Sequence, residues 1–124
     1  MVYVVGQMKR TTNSSGSQVT LGEFEQLVLL ALVRLRDNAY GVTIRAEIER
    51  RAGREVSIAA VYTTLDRLEK KGLLRSWAGE PTAQRGGRSK RYFRLESAGA
   101  DALAASYRSF KGMVAGLERQ LEKL

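Results

Sequence analysis

Residues 57–72 read SIAAVYTTLDRLEKKG and decide the fold. The stretch begins with Ser57, whose hydroxyl is a favoured helix cap, and ends at Gly72, which can adopt the left-handed conformation that closes a helix. Between them, apolar side chains recur at intervals of three, four and three residues, at Ile58, Val61, Leu65 and Leu68. This spacing places them on one face of a helix. The pattern predicts an amphipathic helix whose polar face is free to contact a partner.

A cationic hairpin is predicted directly after this helix. Two extended stretches, Leu73 to Ala78 and Ser89 to Leu95, flank a segment that holds the only proline and the Gly86-Gly87 pair. No acidic residue occurs between positions 81 and 95, and the basic residues there are Arg85, Arg88, Lys90, Arg91 and Arg94. We expect a positively charged finger that contacts a polyanion; the alternative interpretation is a solvated charged loop.

Two further helices are predicted upstream. Residues 24–35 are apolar on almost every side, which is more than one face of a small domain can absorb, so we expect this helix to meet two surfaces, one of them on another subunit. Thr20 and Glu23 match a capping box at its start. A shorter helix is expected to begin at Tyr40-Gly41 and to end at Gly53.

The C-terminal part carries a heptad pattern. From about Ser97 onward, apolar residues alternate at spacings of four and three, at Leu103, Tyr107, Phe110, Val114, Leu117, Leu121 and Leu124. A seam of this length on one helix exceeds what a three-helix domain can cover, so it predicts pairing with a second copy of the chain.

Composition excludes several classes of protein. The 124 residues suffice for one domain, and 21 Lys and Arg against 13 Asp and Glu give a net charge of +8, with the surplus in residues 1–96. Because the sequence has no Cys and no His, thiolate zinc sites, disulfides and His-dependent catalysis are excluded; no cofactor and no metal are predicted, and an enzyme is the least favoured class. No apolar run is long enough for a membrane helix or an export signal, which favours a cytoplasmic protein.

The order helix, helix, helix, basic hairpin is that of a mostly α winged helix-turn-helix domain, in which the third helix enters the major groove of double-stranded DNA and the hairpin follows the backbone. We predict a flexible tail over residues 1–19, a DNA-binding domain over residues 20–95 and a dimerisation helix over residues 96–124.

Several segments resemble the PadR family of bacterial transcriptional regulators. They are Tyr40-Gly41, residues 61–74 (VYTTLDRLEKKGLL), residues 87–95 (GRSKRYFRL) and Gly99, and the resemblance covers about residues 20–110. It implies a homodimeric repressor of the short-tailed type, whose C-terminal helix packs on the first helix of its partner. Two positions depart from the family pattern, where Thr63 replaces a common Pro and Glu96 replaces a common Thr, so base preference and the cap of the fourth helix are expected to differ.

The resemblance and the exposed faces together give the predicted site. The predicted DNA-contacting residues are Tyr40, Ser57, Ala59, Tyr62, Thr63, Arg67, Arg85, Arg88, Lys90 and Arg91. The predicted dimer interface consists of Phe24, Val28, Ala31, Leu103, Tyr107, Phe110, Val114, Leu117 and Leu121.

Some of these residues have a second interpretation. Tyr40 and Tyr62 can serve as core filler instead of contacting DNA, and Trp77 is expected in the core. Because some relatives bind flat aromatic ligands between their subunits, Tyr107 and Phe110 either pack the dimer or line a site for a small aromatic effector. For the whole chain, a winged-helix protein-interaction module and an RNA-binding basic protein remain as alternatives to a DNA-binding regulator.

Overall fold

The computed structural model describes residues 19–80 and 89–124. Its elements follow the predicted order and form a mostly α winged helix-turn-helix domain, which confirms the expected fold class. In chain order they are α1 (Glu23–Leu35), a 3-10 turn (Arg36–Asn38), α2 (Gly41–Ala52), α3 (Ile58–Lys70), β1 (Leu74–Ala78), β2 (Arg91–Leu95), α4 (Ser97–Val114) and α5 (Glu118–Glu122).

The core lies between α1, α2, α3 and the inner face of the two-stranded wing. The apolar stripe predicted for α3 is confirmed, since Val61, Leu65 and Leu68 are completely inaccessible to solvent. Phe93 of β2 is the largest side chain that is fully buried with them. Burial of this stripe against α1 and α2 fixes which face of α3 remains outside.

The predicted ends of α2 and α3 are also confirmed. Gly53 and Gly72 have φ angles of 69° and 78°, the left-handed conformation that glycine adopts at little cost. At the start of α3, Ser57 Oγ accepts a hydrogen bond from the N–H of Ala60 at 3.0 Å. These caps set α3 at the length its sequence pattern indicates.

The start of α1 differs from the expected capping box. Gly22, not Thr20, is the cap residue, and its N–H donates to Glu25 Oε1 at 2.8 Å. Glu25 is buried and its other oxygen accepts from Lys71 Nζ at 3.0 Å, so it ties the start of α1 to the end of α3. Glu23, expected in the box, instead pairs with Arg54 at 2.9 Å. The box therefore forms two residues further along the chain than predicted, and each of the two carboxylates has a partner that is distant in sequence.

The wing is tied to the start of α2. Its strands pair antiparallel with Leu74 opposite Leu95 and Ala78 opposite Arg91. The N–H of Phe93 donates to the carbonyl of Ala39 at 2.9 Å, and Tyr40 forms an isolated β-bridge with Tyr92, so the segment before α2 lies along the free edge of β2. The helix-turn-helix and the wing are therefore joined through the backbone.

The expected continuous C-terminal seam is wrong. Helix α4 ends at Val114, Gly116 has a φ of 86°, and α5 is a separate helix of five residues. The left-handed turn at Gly116 redirects the chain, so Leu117, Leu121 and Leu124 do not continue the row formed on α4 by Leu103, Tyr107, Phe110 and Val114. Glu96 is the cap residue of α4, and no side-chain hydrogen bond caps this helix.

Two residues expected in the dimer interface belong to the core of the single chain. Val28 and Ala31 are 0% and 2% exposed, so a partner subunit has no access to their side chains. Helix α1 is apolar on several sides because α2, α3, α4 and β2 of its own chain surround it. The apolar side chains that it leaves exposed are Leu30 and Val33.

Candidate nucleic-acid interface

One face of α3 carries all the residues of that helix region that were predicted to contact DNA. Because the apolar stripe is buried, the opposite side of the helix is left in solvent. The exposed predicted residues are Ser57, Ala59, Tyr62, Thr63 and Arg67. The face is thus positioned by packing on the far side of the helix and not by contacts of its own.

Arg67 is a cation of this face. Its side chain makes no ion pair with any residue in the described ranges, as its helical neighbours had indicated. It borders a shallow depression together with Thr63, Asp66, Lys70 and Lys71. A guanidinium without a carboxylate partner is available for the bidentate contact to guanine or phosphate that Arg makes in major grooves.

Tyr62 joins α3 to the first turn of α2. Its ring centroid lies 6.5 Å from that of Phe93, and its side chain is 36% exposed. The closeness of the ring leaves no room for a side chain at Gly41, where a Cβ would lie 2.3 Å from Tyr62 Oη. The ring therefore packs within the domain while the hydroxyl lies at the start of α2, where the helix dipole favours anions.

The basic residues of the wing are divided between its two faces, because side chains alternate along a strand. Arg91 lies on the face of the wing that contacts α3, whereas Lys90 and Arg94 lie on the opposite, outer face. Lys90 Nζ is 4.9 Å from the ring centroid of Tyr40, and Arg94 pairs with Asp37. Of these three cations, Lys90 is the one without an acidic partner among the described residues.

Arg91 holds the wing against α3. Its Nη2 donates to Glu69 at 2.7 Å and its Nη1 donates to Asp66 at 3.2 Å. Ser76 of β1 completes this clamp by donating to Glu69 at 2.9 Å and accepting from Arg91 Nε at 3.2 Å. The guanidinium of Arg91, which was predicted to contact DNA, is therefore paired with two carboxylates of α3.

A row of aromatic side chains on the outer face of the wing was not anticipated. Tyr40, Tyr92 and Trp77 follow one another across the sheet with centroid separations of 5.5 and 6.0 Å. Trp77, expected in the core, is 39% exposed, with the guanidinium of Arg75 5.8 Å from its ring centroid. The alternation of Leu74 and Ser76 with Arg75 and Trp77 was the signal that could have placed this row outside.

Several predicted features are not brought into one site. Arg85 and Arg88, like the tail over residues 1–18, lie outside the described residues. Tyr107 and Phe110 are 61% and 67% exposed on α4, and Phe110 borders an open cleft beside Leu21. Within residues 19–80 and 89–124 there is no cluster of three or more acidic side chains that could hold a metal ion, and no helix has the length and hydropathy to cross a bilayer.

Comparison with known proteins supports the winged helix and its family. The family described as "Transcriptional regulator PadR-like family" matches residues 29–105, which is more than half of the chain. No curated protein matches the chain significantly in sequence.

Solved structures share the fold over most of their length. A PadR family transcription regulator from hypervirulent Clostridium difficile R20291 has 24% identity and a TM-score of 0.64, covering 81% of this chain and 99% of that one. A PadR family transcriptional regulator from Eggerthella lenta DSM 2243 has 26% identity and a TM-score of 0.60, with 82% and 88% covered. RosR of H. salinarum has 26% identity and a TM-score of 0.59, with 82% and 86% covered.

The family match spans the features that form the site, namely α2, the exposed face of α3, the wing and the first part of α4. From this match and the winged-helix geometry it follows that the chain belongs to the PadR-like family of transcriptional regulators, which are DNA-binding proteins and not enzymes.

Proposed function

We propose that this regulator is a homodimeric repressor that places one α3 in each of two half-sites of an inverted-repeat operator. The observation that carries the proposal is the exposed polar face of α3, with the unpaired Arg67, beside a wing whose Lys90 has no acidic partner in the described ranges. Two such helices would enter successive major grooves about 34 Å apart on one side of the duplex.

Exposed apolar side chains on α4 support the homodimer. Tyr107, Phe110 and Met113 are between 61% and 77% exposed, a large apolar surface for one helix of a small domain. A second copy would cover it, with Leu103 and Val114 at its edges. In that dimer Tyr107 and Phe110 would lie near the subunit boundary, where they pack the interface or contact a small aromatic effector.

The net charge of +8 supports extensive contact with phosphate. A dimer that contacts about 8 phosphates should show a slope of about −7 for log K against log salt. Arg85 and Arg88 of the hairpin, together with Lys90, are proposed to supply part of these contacts, and Tyr40 and Tyr62 to add phosphate contacts at the start of α2.

The test is a gel-shift competition between the promoter DNA of the protein's own gene and scrambled duplex at about 0.15 M salt. We expect specific retention of the promoter fragment, which Arg67→Ala abolishes and Arg108→Ala, an exposed change on α4, leaves intact. Equal binding to both duplexes would contradict a sequence-specific regulator. The mass in solution, measured by light scattering, tests the homodimer separately.

An RNA-binding function is the second candidate, favoured by the outer aromatic row. The exposed ring of Trp77, flanked by Arg75 and Arg94, is of the kind that stacks with single-stranded bases. Tighter binding to structured RNA than to the promoter duplex, lost in Trp77→Ala and kept in Arg67→Ala, would establish this candidate instead. A winged-helix protein-interaction module would bind neither nucleic acid specifically.

A further inference from the structure

Strand β1 has a neighbouring strand on one side only. Strand β2 is paired on one side with β1, and on its other side the N–H of Phe93 donates to the carbonyl of Ala39. In the ranges that the structure describes, no residue of β1 makes a backbone hydrogen bond outside its ladder with β2. A strand with one unpaired side presents N–H and C=O groups that a second strand can bind.

The hydrogen bonds of the wing show which backbone groups face this unpaired side. The N–H of Gly79 donates to the carbonyl of Lys90 at 2.7 Å, and the N–H of Glu96 donates to that of Leu73 at 3.0 Å. In an antiparallel pair, the residues of one strand alternate between bonding to the neighbour and facing away from it. Positions 73, 75, 77 and 79 therefore bond to β2. The residues whose backbone groups face the unpaired side, which we call the β1 edge, are Leu74, Ser76 and Ala78.

The β1 edge lacks most of the features that keep sheet edges from pairing. Proteins protect such edges with proline, with bulges or with charged side chains. Strand β1 contains no proline, its register with β2 is unbroken from Leu74 to Ala78, and its one charged side chain is that of Arg75. Because Ala78 is exposed, the edge is accessible at the end of the strand.

A second copy of β1 fits this edge in one antiparallel register. When two copies pair around Ser76, Leu74 of each strand lies opposite the partner's Ala78, so every outward residue meets an outward residue. A shift by one residue would set outward residues opposite residues whose backbone groups already bond to β2. A shift by two would leave one outward residue of each strand without a partner in the other.

Side chains on the outer face of the wing favour the same register. Arg75 and Trp77 both lie on that face, and the register sets Arg75 of each copy opposite the partner's Trp77. The Trp77 ring has guanidinium groups of its own chain 5.5 and 5.8 Å from its centroid and is still 39% exposed. A guanidinium beside an indole is a favourable cation–π pair, and the repulsive alternative, Arg75 opposite the partner's Arg75, is avoided.

We propose that the β1 edges of two homodimers pair with each other, so that regulators bound side by side on DNA are joined through their wings. This inference rests on the proposed homodimer but uses a different surface from the exposed aromatics of α4. The strands have five residues each and the net charge of +8 opposes the contact in free solution. On one duplex, adjacent binding raises the effective concentration to about the millimolar range, and phosphates offset the charge.

The natural absence of cysteine allows a crosslinking test in the full chain. Arg75→Cys and Trp77→Cys chains are mixed on a long duplex, at enough protein to cover it, and oxidised. Residues opposite each other in a non-hydrogen-bonded pair have Cα atoms about 4.5 Å apart, which a disulfide spans. We expect a linked pair of chains in the mixture. Trp77→Cys alone should give little, because its diagonal neighbour is about 7–8 Å away.

Two controls separate pairing from chance encounter. Arg108→Cys, which also replaces an exposed arginine but lies on α4, takes the place of Arg75→Cys and should give no linked species with Trp77→Cys. Adding Ala78→Pro to Trp77→Cys removes an N–H that faces the β1 edge and not β2, so it should abolish the link with Arg75→Cys. The unfolding temperature should stay that of Trp77→Cys, which shows that the ladder with β2 is intact.

The size of the linked product identifies the contact. After removal of DNA, light scattering should give four chains per particle, because each linked chain keeps its own partner subunit. A particle of two chains would place the link within one homodimer and overturn the contact between dimers. A mixture that gives no more link than the Arg108→Cys control, or the same link with Ala78→Pro, overturns the pairing of wings and leaves the homodimer standing. A natural chain that is monomeric by light scattering overturns the homodimer itself.

Discussion

The guanidinium of Arg91 on the wing donates to Glu69 on α3 at 2.7 Å, so the recognition helix and the hairpin are joined by an ion pair as well as by the core. Asp66 and Ser76 complete the clamp. One of the wing residues predicted to contact DNA is thus already paired with carboxylates of its own chain. Its role is to orient the wing, and the loss of that role can be distinguished from the loss of a phosphate contact.

Arg91→Ala should leave the salt dependence of DNA binding nearly unchanged, because the missing guanidinium is neutralised by carboxylates and not by phosphate. Lys90→Ala should reduce the slope of log K against log salt by about 1, as expected when one phosphate contact is removed. Both slopes are obtained from fluorescence anisotropy titrations at four salt concentrations. A reduction of the same size in both variants would show that Arg91 leaves the clamp to contact DNA.

Ser57→Ala should lower the free energy of unfolding by about 1 kcal/mol, because the N–H of Ala60 loses the hydroxyl that accepts its hydrogen bond. Urea denaturation followed by circular dichroism measures the loss. Ser57→Asp retains an acceptor and is the matched control, expected to keep most of the stability. An unchanged urea midpoint in Ser57→Ala would mean that water accepts the hydrogen bond of the Ala60 N–H with no loss in the free energy of unfolding.

Two glycines of α4 should respond in opposite directions to alanine. A Cβ at Gly99 would lie 2.1 Å from the carbonyl oxygen of Leu73, so Gly99→Ala should destabilise the domain by about 1–3 kcal/mol through overpacking. A Cβ at Gly112 meets nothing within 4 Å in the described chain, so Gly112→Ala should stabilise α4 by about 0.5–1 kcal/mol. Thermal unfolding of the two variants under the same conditions compares them. An unfolding temperature of Gly99→Ala equal to that of the natural chain would contradict the close approach of α4 to the start of the wing.

The stability of the domain should depend on pH through Glu25. Burial raises the pKa of this carboxyl, but the N–H of Gly22 and the ammonium of Lys71 outweigh burial, so its pKa lies below the ordinary value of 4.5. A lowered pKa in the folded chain means that ionised Glu25 adds stability above about pH 4.5, which is lost as the pH falls through the lower folded value.

Glu25→Gln should therefore cost about 1–2 kcal/mol at pH 7, because a charged hydrogen bond is lost at a buried position. The difference from the natural chain should begin to shrink near pH 4.5, where the carboxyl of the unfolded chain takes up a proton, and should be lost once the pH falls below the lower folded pKa. Urea denaturation at pH 7, 5 and 3.5 measures it, with Glu55→Gln as an exposed control. A difference that stays constant across this range would assign the loss to shape and not to charge.

Local signals predicted the helices and their ends well, because a cap such as Ser57 or a left-handed Gly72 acts within a few residues. The same reasoning failed where distant parts of the chain compete. Glu25 caps α1 because Lys71 holds it from the far end of α3, and Val28 is core because α1 is surrounded by its own chain.

The heptad pattern illustrates a different limit. Spacing records which residues are apolar, but one glycine in a left-handed conformation separates Val114 from Leu117 and ends the helix on which the seam depended. The charges of the wing were counted correctly, whereas their division between two faces required the pairing register of β1 and β2. Two features of the sequence could have indicated these outcomes: Gly116 for the end of α4, and the alternation of Arg75 with Ser76 for the two faces of the wing.

The hydrogen bond from the N–H of Phe93 to the carbonyl of Ala39 connects the wing to the segment before α2. The Arg91 clamp connects the wing to α3. The winged helix-turn-helix domain of each subunit is consequently expected to move as one rigid body. In the proposed homodimer, a signal that releases DNA would have to alter the distance or the angle between the two DNA-binding domains. Substitutions that change the preferred operator sequence would act through the side chains that contact DNA and not through a change in the shape of the domain.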